Sequence, residues 1–542
     1  MVMAILDINN LQFVLLVLAS CLANFIVFSF SFFKKKIYNF IVNLSLSAST
    51  TLIALDLARE SPKEVSWAEV TPFVSSMLMG ITYFSMTKNN NVNKKEKYCF
   101  TLNAGTQQIT FADPFDNFLV YGGANAGKTK SIGKPLLEQY IINKFAGFIY
   151  DYKDFDYTKT AYNLCKKHNY PFDFYYVSFT DLTRSYRFNP IKPEVLGDEN
   201  LLMQLMDDFL SSCQEEKAKR DEWFGFGLGV LKGAAYRFYK DYPQYCTLPH
   251  IANFVIHAGK ERLTKFLLGS PESKALASGF IDSQDSERTQ ASIMGTLTNT
   301  LSKVAFNKNI MYVLSGDDFD FDLIDPKRPK LLSVCNSFAI EGSISPIIAM
   351  LMSISTRKFT MENKVPFVYF LDEATTFKIR DFEKLPSVLR EYLCSFVLLT
   401  QSGAKLEKIY SKLDRSSVES NFSNMFLGRT KDPEALKYYP IFFGKHEIDK
   451  KSRTTGSSSN SSSHSVTVSS VKEERYEGHF FTRLLAGEFV GSAAHSNFGD
   501  FHLRFNQYNP GYEEEIPVVN PVLPSDVQAN YEKILEDIFS IE

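Results

Sequence analysis

Apolar and polar positions divide the chain into regimes with different periods. Residues 11–33 carry no charged side chain. As a helix such a run covers roughly 30 Å, the hydrocarbon thickness of a bilayer. It is too long for a secretory core and lacks a basic flank ahead of it. Lys34, Lys35 and Lys36 follow at once. Two weaker apolar segments come next: residues 40–57, which include Asn43, and residues 70–86, which include Gly80. A mixed-charge stretch with Arg59, Glu60, Lys63 and Glu64 separates them, and an Asn- and Lys-rich stretch runs to Lys97. Lysine clusters favour the cytoplasmic side. The pattern predicts three membrane spans with the amino terminus outside. The rival is two spans, with the weaker segment 40–57 lying on the membrane surface. In both arrangements the chain beyond Lys97 is cytoplasmic.

Past that point short apolar runs alternate with longer helical stretches. Residues 118–121, 147–150, 172–179, 331–335, 367–371, 396–400 and 425–427 read as buried strands. Helices are expected up to Asn143, over 158–168 and between most later strands. Strands alternating with helices predict a parallel-rich sheet covered on both faces, an α/β fold. Residues 196–312 break the rhythm and read almost wholly as helix, which predicts an all-helical domain inserted into the sheet protein. The expected order is a membrane anchor over 1–97, a first part of the sheet domain over 98–195, the insertion over 196–312, a second part of the sheet domain over 313–506, and an acidic tail over 507–542. Residues 452–470 are mostly Ser, Thr and Asn. They bury too little apolar surface to order themselves, so a flexible surface loop is expected; a long hairpin with a strand near 465–471 is the rival. Residues 525–542 read as an acidic amphipathic helix behind a Pro-rich linker.

Composition changes this picture in two places. The formal net charge is −2 over 542 residues, so no large basic surface announces nucleic acid, and any DNA contact must be local. The seven cysteines show no CxxC or CxxH spacing, which indicates neither a zinc site nor a disulfide framework.

The strongest chemical signal is the run Gly122, Gly123, Ala124, Asn125, Ala126, Gly127, Lys128, Thr129, with Lys130 behind it. It fits GxxxxGK[ST] and sits between an expected strand and an expected helix, the context this motif requires. Glycines let backbone amides curl around phosphate oxygens, and a helix start adds its dipole. Lys128 is expected to reach the β- and γ-phosphates of ATP, and Thr129 to hold Mg²⁺. A second signal is the apolar run 365–371, which delivers Asp372 and Glu373 at its carboxyl end. Such a pair suits magnesium coordination by Asp372 and water activation by Glu373. Residues 396–400 are followed by Gln401, a candidate to sense the terminal phosphate or position water, because neighbouring parallel strands present their carboxyl ends together; a cap for the next helix is the plainer reading. Arg390, just before that strand, is expected to reach a neighbouring subunit's nucleotide; a surface ion pair is the plainer reading.

Taken together these stretches resemble the coupling proteins of type IV secretion and conjugation, the TraG/TraD-type family. Residues 121–131 resemble its first nucleotide motif, with Ala126 where Ser is more usual. Ile149 to Asp154 is similar to its strand ending in an Asp-x-Lys turn. Tyr186 to Pro190 resembles its Asn-Pro segment, and residues 371–402 its series of acid pair, Arg and Gln-Ser. Residues 421–430 and the Asp-Pro-Glu that follows resemble the strand–helix pair that closes the motor. The interval from Asp372 to Arg390 is one residue short, and Ala374 and Thr375 stand where the family often has Phe and Pro. The resemblance implies a RecA-like ATPase at the bacterial inner membrane, working as a homo-hexamer. It implies delivery of relaxase-bound single-stranded DNA, with the relaxosome and inner-membrane secretion components as partners. Two rival functions remain open in the sequence: a chromosome-partition translocase, and a substrate receptor that uses ATP only to assemble.

Overall fold

A computed structural model describes residues 98–214, 221–362, 365–458 and 461–541. The three candidate membrane segments lie outside the described residues. Tyr98–Glu542 forms one compact unit. Among the described residues one helix, Phe338–Thr356, is long and apolar enough to cross a membrane, and 56% of its apolar window is buried. It serves the core, with Ile347, Ile348, Leu351 and Ile354 fully enclosed.

Thirteen strands are present among the described residues: β1 (Phe100–Ala104), β2 (Gln107–Phe111), β3 (Phe118–Tyr121), β4 (Ala146–Asp151), β5 (Asp173–Val177), β6 (Lys330–Cys335), β7 (Phe367–Asp372), β8 (Cys394–Thr400), β9 (Asn424–Gly428), β10 (Lys445–Ser458), β11 (Ser461–Glu474), β12 (Glu488–Ala493) and β13 (Asp500–Arg504). Nine of them build one sheet in the order β13-β12-β9-β3-β8-β7-β4-β6-β5. Every pair from β9 to β5 is parallel, while β12 and β13 add an antiparallel edge. The central strands are apolar throughout because both faces are covered. Leu119, Phe148, Tyr369 and Phe396 face one core. Phe118, Val120, Val397 and Leu399 face a second, together with the β1–β2 hairpin. The fold is the α/β architecture expected.

Between β5 and β6 the described residues are mostly helical, from Pro193–Leu196 to Lys308–Leu314. These helices share the first core through Phe209, Leu231, Phe254 and Leu301.

Residues 452–458 and 461–470 are strand. They lie in the β10–β11 hairpin, paired in register from Lys445↔Glu474 to Ser458↔Ser461. The expectation of disorder counted burial alone. A hairpin also satisfies its backbone groups by cross-strand bonding. Val466, Thr467, Val468 and Val471 are β-branched residues that suit the extended backbone.

The carboxyl-terminal residues act as a strap. Tyr508 donates its amide to the Lys130 carbonyl at 2.7 Å. Glu514 and Glu515 then pair with Lys166 and Lys159 on helix Asp156–Lys167, and the Tyr176 hydroxyl donates to the Pro517 carbonyl at 2.9 Å. Helix Pro524–Ser540 follows and buries Val527, Ile534 and Ile538. Its Asn530 accepts from Arg187 at 2.9 Å, and Arg262 donates to the Ile538 and Ile541 carbonyls. The apolar face of the acidic tail is therefore taken up within the chain.

Candidate functional site

Three adjacent strands carry the site. β8 lies between β3 and β7, so the loop after β3, Gln401 after β8 and the acids ending β7 emerge side by side. The carboxyl end of β3 is anchored from below: the Tyr121 hydroxyl donates to Glu419 at 2.6 Å, and Arg415 holds that carboxylate at 3.0 Å.

The loop owes its shape to its own glycines and to the sheet. Gly122 donates its amide to the Thr400 carbonyl at 3.3 Å, and Gly123 to the Arg429 carbonyl at 2.8 Å. These two amides tie the loop to the sheet. Gly127 has φ +97°. A Cβ there would stand 2.5 Å from the Gly487 amide nitrogen, whose N–H donates to the Ala126 carbonyl at 2.9 Å. Only glycine satisfies both demands. Beyond it Lys128–Gly133 makes a wide turn of i to i+5 bonding, closed by the Lys134 amide on the Thr129 carbonyl, and runs into helix Lys134–Ile142. Wide turns of this kind recur at functional sites.

Lys128 donates from Nζ to the Gly122 carbonyl at 2.6 Å. Burial lowers its pKa, opposed by the charges of Glu373 and Asp372. Asp372 is 1% exposed, and its carboxyl is pushed up to about 7, chiefly by burial, while Lys153 pulls the other way. Glu373 holds φ +48°, a left-handed conformation that costs a non-glycine residue about 1 kcal/mol or more. The Thr376 amide and hydroxyl both donate to its carbonyl, at 3.1 and 3.0 Å. Gln401 donates from Nε2 to Glu373 Oε1 at 3.3 Å.

The structure thus brings Lys128, Thr129, Asp372, Glu373 and Gln401 together. It places Arg390 elsewhere within the chain: before β8, at the amino edge of the sheet, paired with Asp113 at 3.0 Å and Asp116 at 2.6 Å. Lys153 enters the site in its stead, with Nζ 3.3 Å from Thr129 Oγ1 and 3.9 Å from Asp372 Oδ2. The sequence carried a signal for it, because Lys153 follows β4, the next strand after β7, and the same carboxyl-end rule applies. Arg429, directly after β9 beside β3, falls under the same rule, whereas Gly487 gave no such signal. A cavity of about 760 Å³ adjoins the acid-pair loop, lined by Thr375, Lys378, Lys405 and Asp208 among others, and excludes the phosphate loop.

A magnesium ion fits the donor set. Asp372 Oδ2 is buried and meets no hydrogen-bond donor, and the Thr129 hydroxyl stands close to the same ammonium group. A carboxylate and a hydroxyl beside a phosphate loop are the hard oxygen ligands this cation takes.

Residues 366–477 match a family model described as the TraM recognition site of TraD and TraG. No curated protein matches the chain. Among solved structures, the unbound monoclinic form of the bacterial conjugative coupling protein TrwBdeltaN70 matches with a TM-score of 0.58 at 14% identity, over 80% of this chain and 92% of that one. The plasmid coupling protein TrwB in complex with ADP and Mg²⁺ matches with a TM-score of 0.56 at 15% identity, over 75% and 87%. TrwB with the ATP analogue ADPNP matches equally well, over 76% and 88%. At these identities the structural likeness establishes the fold, a RecA-like P-loop architecture. The chain resembles the TraG/TraD-type coupling proteins in sequence over 366–477 and in fold over most of its described length.

Proposed function

We propose that this chain, which shares the TraG and TraD recognition segment and the TrwB fold, is a membrane-anchored ATPase of conjugation. In this reading it couples relaxase-bound single-stranded DNA to a type IV secretion channel at the bacterial inner membrane. The carrying observation is the convergence of Lys128, Thr129, Asp372, Glu373 and Gln401 at the ends of three neighbouring strands.

The amides around Gly127, Lys128 and Thr129 receive the phosphates of ATP, and Lys128 gives up its bond to Gly122 for the β- and γ-phosphate oxygens. Thr129 and Asp372 would hold Mg²⁺, which when bound neutralises phosphate charge and orients the terminal group. Glu373, steadied by Gln401, draws the proton from the attacking water. Arg390 leaves its aspartates to complete the nucleotide site of the next subunit in a homo-hexamer. The relaxosome and inner-membrane secretion components are the partners, and local basic residues pass the strand along.

The purified full chain is expected to hydrolyse ATP faster with single-stranded DNA present. Lys128→Ala should abolish turnover while the melting temperature holds. A donor cell lacking the chain should fail to transfer DNA. Nucleotide binding with no DNA-stimulated turnover would favour an ATP-assembled receptor instead. Intact transfer from the deleted donor would leave a chromosome-partition translocase.

A further inference from the structure

Lys153 occupies a position that the nucleotide reading does not account for. Its Nζ lies between the two groups expected to hold the divalent cation, donating to Thr129 Oγ1 at 3.3 Å and ion-paired with Asp372 Oδ2 at 3.9 Å. The turn that delivers it is tightly built. Asp151 at the end of β4 accepts from the Thr158 amide and hydroxyl, both at 2.8 Å, and from the Lys153 amide at 3.2 Å. Asp154 and Phe155 both sit at positive φ, 41° and 67°. Two adjacent non-glycine residues keep that conformation only when their surroundings over-determine it. Tyr152 is fixed as well, its hydroxyl donating to Glu341 at 2.7 Å. The backbone is held, yet the Lys153 side chain is half exposed, so the ammonium has room to swing while its root stays in place.

Resting on the reading of this loop as a nucleotide site, we propose that Lys153 is a placeholder cation for the metal. An ammonium and a magnesium ion cannot share one position between Thr129 Oγ1 and Asp372 Oδ2. When nucleotide arrives with metal, Lys153 is displaced. When nucleotide arrives without metal, Lys153 stays, and its charge meets the phosphates that the metal would have met. Asp372 Oδ2 meets no hydrogen-bond donor, and Lys153 is the cation ion-paired with it. The arrangement gives the chain a tolerance for metal-free nucleotide, and the position of the Lys153 ammonium, not of the turn that carries it, changes when the metal is in place.

The test is ADP binding, which reads affinity without turnover. A fluorescent ADP analogue is titrated into the purified full chain in excess Mg²⁺ and, separately, in EDTA. In Lys153→Met the EDTA affinity is expected to fall roughly tenfold or more, the loss of one charge-assisted contact. The Mg²⁺ affinity should hold within about threefold or improve, because a competitor for the metal position is gone. Lys153→Arg, which keeps the charge, should restore much of the EDTA affinity. An equal loss in both buffers would make Lys153 a partner of the metal and overturn the proposal, as would no change in either. If the parent chain binds ADP in neither buffer, the nucleotide reading itself falls, an outcome distinct from a parent that binds while the variant ratio stays put.

Discussion

The two edges of the central sheet handle charge in opposite ways. At the amino edge Asp116 is nearly fully buried, and each of its oxygens has its own partner, Arg390 at 2.6 Å and His495 at 2.6 Å. At the carboxyl edge Asp372 is equally buried, yet its Oδ2 meets no hydrogen-bond donor, and the lysine beside it stands 3.9 Å away. Buried polar groups in stable proteins are normally satisfied. The amino edge follows that rule and locks the β3 and β8 entries to the β12–β13 edge. The carboxyl edge breaks the rule, and Glu373 adds a left-handed backbone. Uncompensated electrostatic cost marks the place where a ligand is expected, whereas satisfied charge marks the place where the scaffold is fixed.

Substitutions can break or sharpen this contrast. The largest effect is expected from Asp372→Asn, with nucleotide-dependent turnover lost by roughly 100-fold or more, on the order seen when one transition-state electrostatic contact is removed. The same variant should gain stability in metal-free buffer. Burial raises the folded-state pKa of Asp372 to about 7, above its unfolded value, so the folded form binds the extra proton. Stability therefore falls as pH rises through the interval between those values, and the variant escapes that loss. Thermal melts in EDTA should show the Asp372→Asn chain more stable than the parent by up to roughly 4 kcal/mol at pH 8 and by much less at pH 4. Equal melting temperatures at both pH values would contradict the account of this edge.

Gly127→Ala comes next. A Cβ placed 2.5 Å from the Gly487 nitrogen at φ +97° should cost about 1–3 kcal/mol by denaturant unfolding, with nucleotide affinity lost as well. Asp116→Ala should do the reverse. It removes the buried carboxylate that Arg390 and His495 both engage and should cost about 1–3 kcal/mol, while ADP affinity stays within about threefold. A large affinity loss in Asp116→Ala would mean that the two edges are coupled and the contrast misplaced. The smallest effect is expected at His495, whose pKa is raised by its bond to Asp116. A raised histidine stabilises below its unfolded pKa, and that contribution fades as pH rises through the folded value. Because the ring is mostly exposed, His495→Asn should change stability by about 0.5 kcal/mol or less at pH 6, and by still less at pH 8.

Where residues near in sequence decide the structure, the sequence was readable. The loop after β3 announced itself because its glycines, Lys128 and Thr129 are contiguous, and the acids after β7 because an apolar run ends on them. The central strands were legible through burial on both faces. The edge elements were not: β1, β2 and β13 alternate exposed and buried positions over only five residues each, too short a pattern to separate from a loop. The β10–β11 hairpin escaped because its order comes from backbone pairing, which composition does not display. Lys153 and Gly487 reach the phosphate loop from distant parts of the chain, so their roles depend on strand order. Arg390 was visible as a residue, but its pairing with Asp113 and Asp116 required knowing that β3 and β8 are neighbours.

The strap gives the molecule a mechanical property that side-chain packing alone would not. One end hangs on the carbonyl of Lys130, two residues past the lysine of the phosphate loop, and the other is clamped to the inserted helices by Arg262 and a row of aliphatic side chains. Between them runs continuous covalent chain, which cannot stretch beyond about 3.4 Å per residue. Movement of the Lys128–Gly133 turn away from the insertion is thus resisted like a rope under load, and slack on that rope sets how far the two can part.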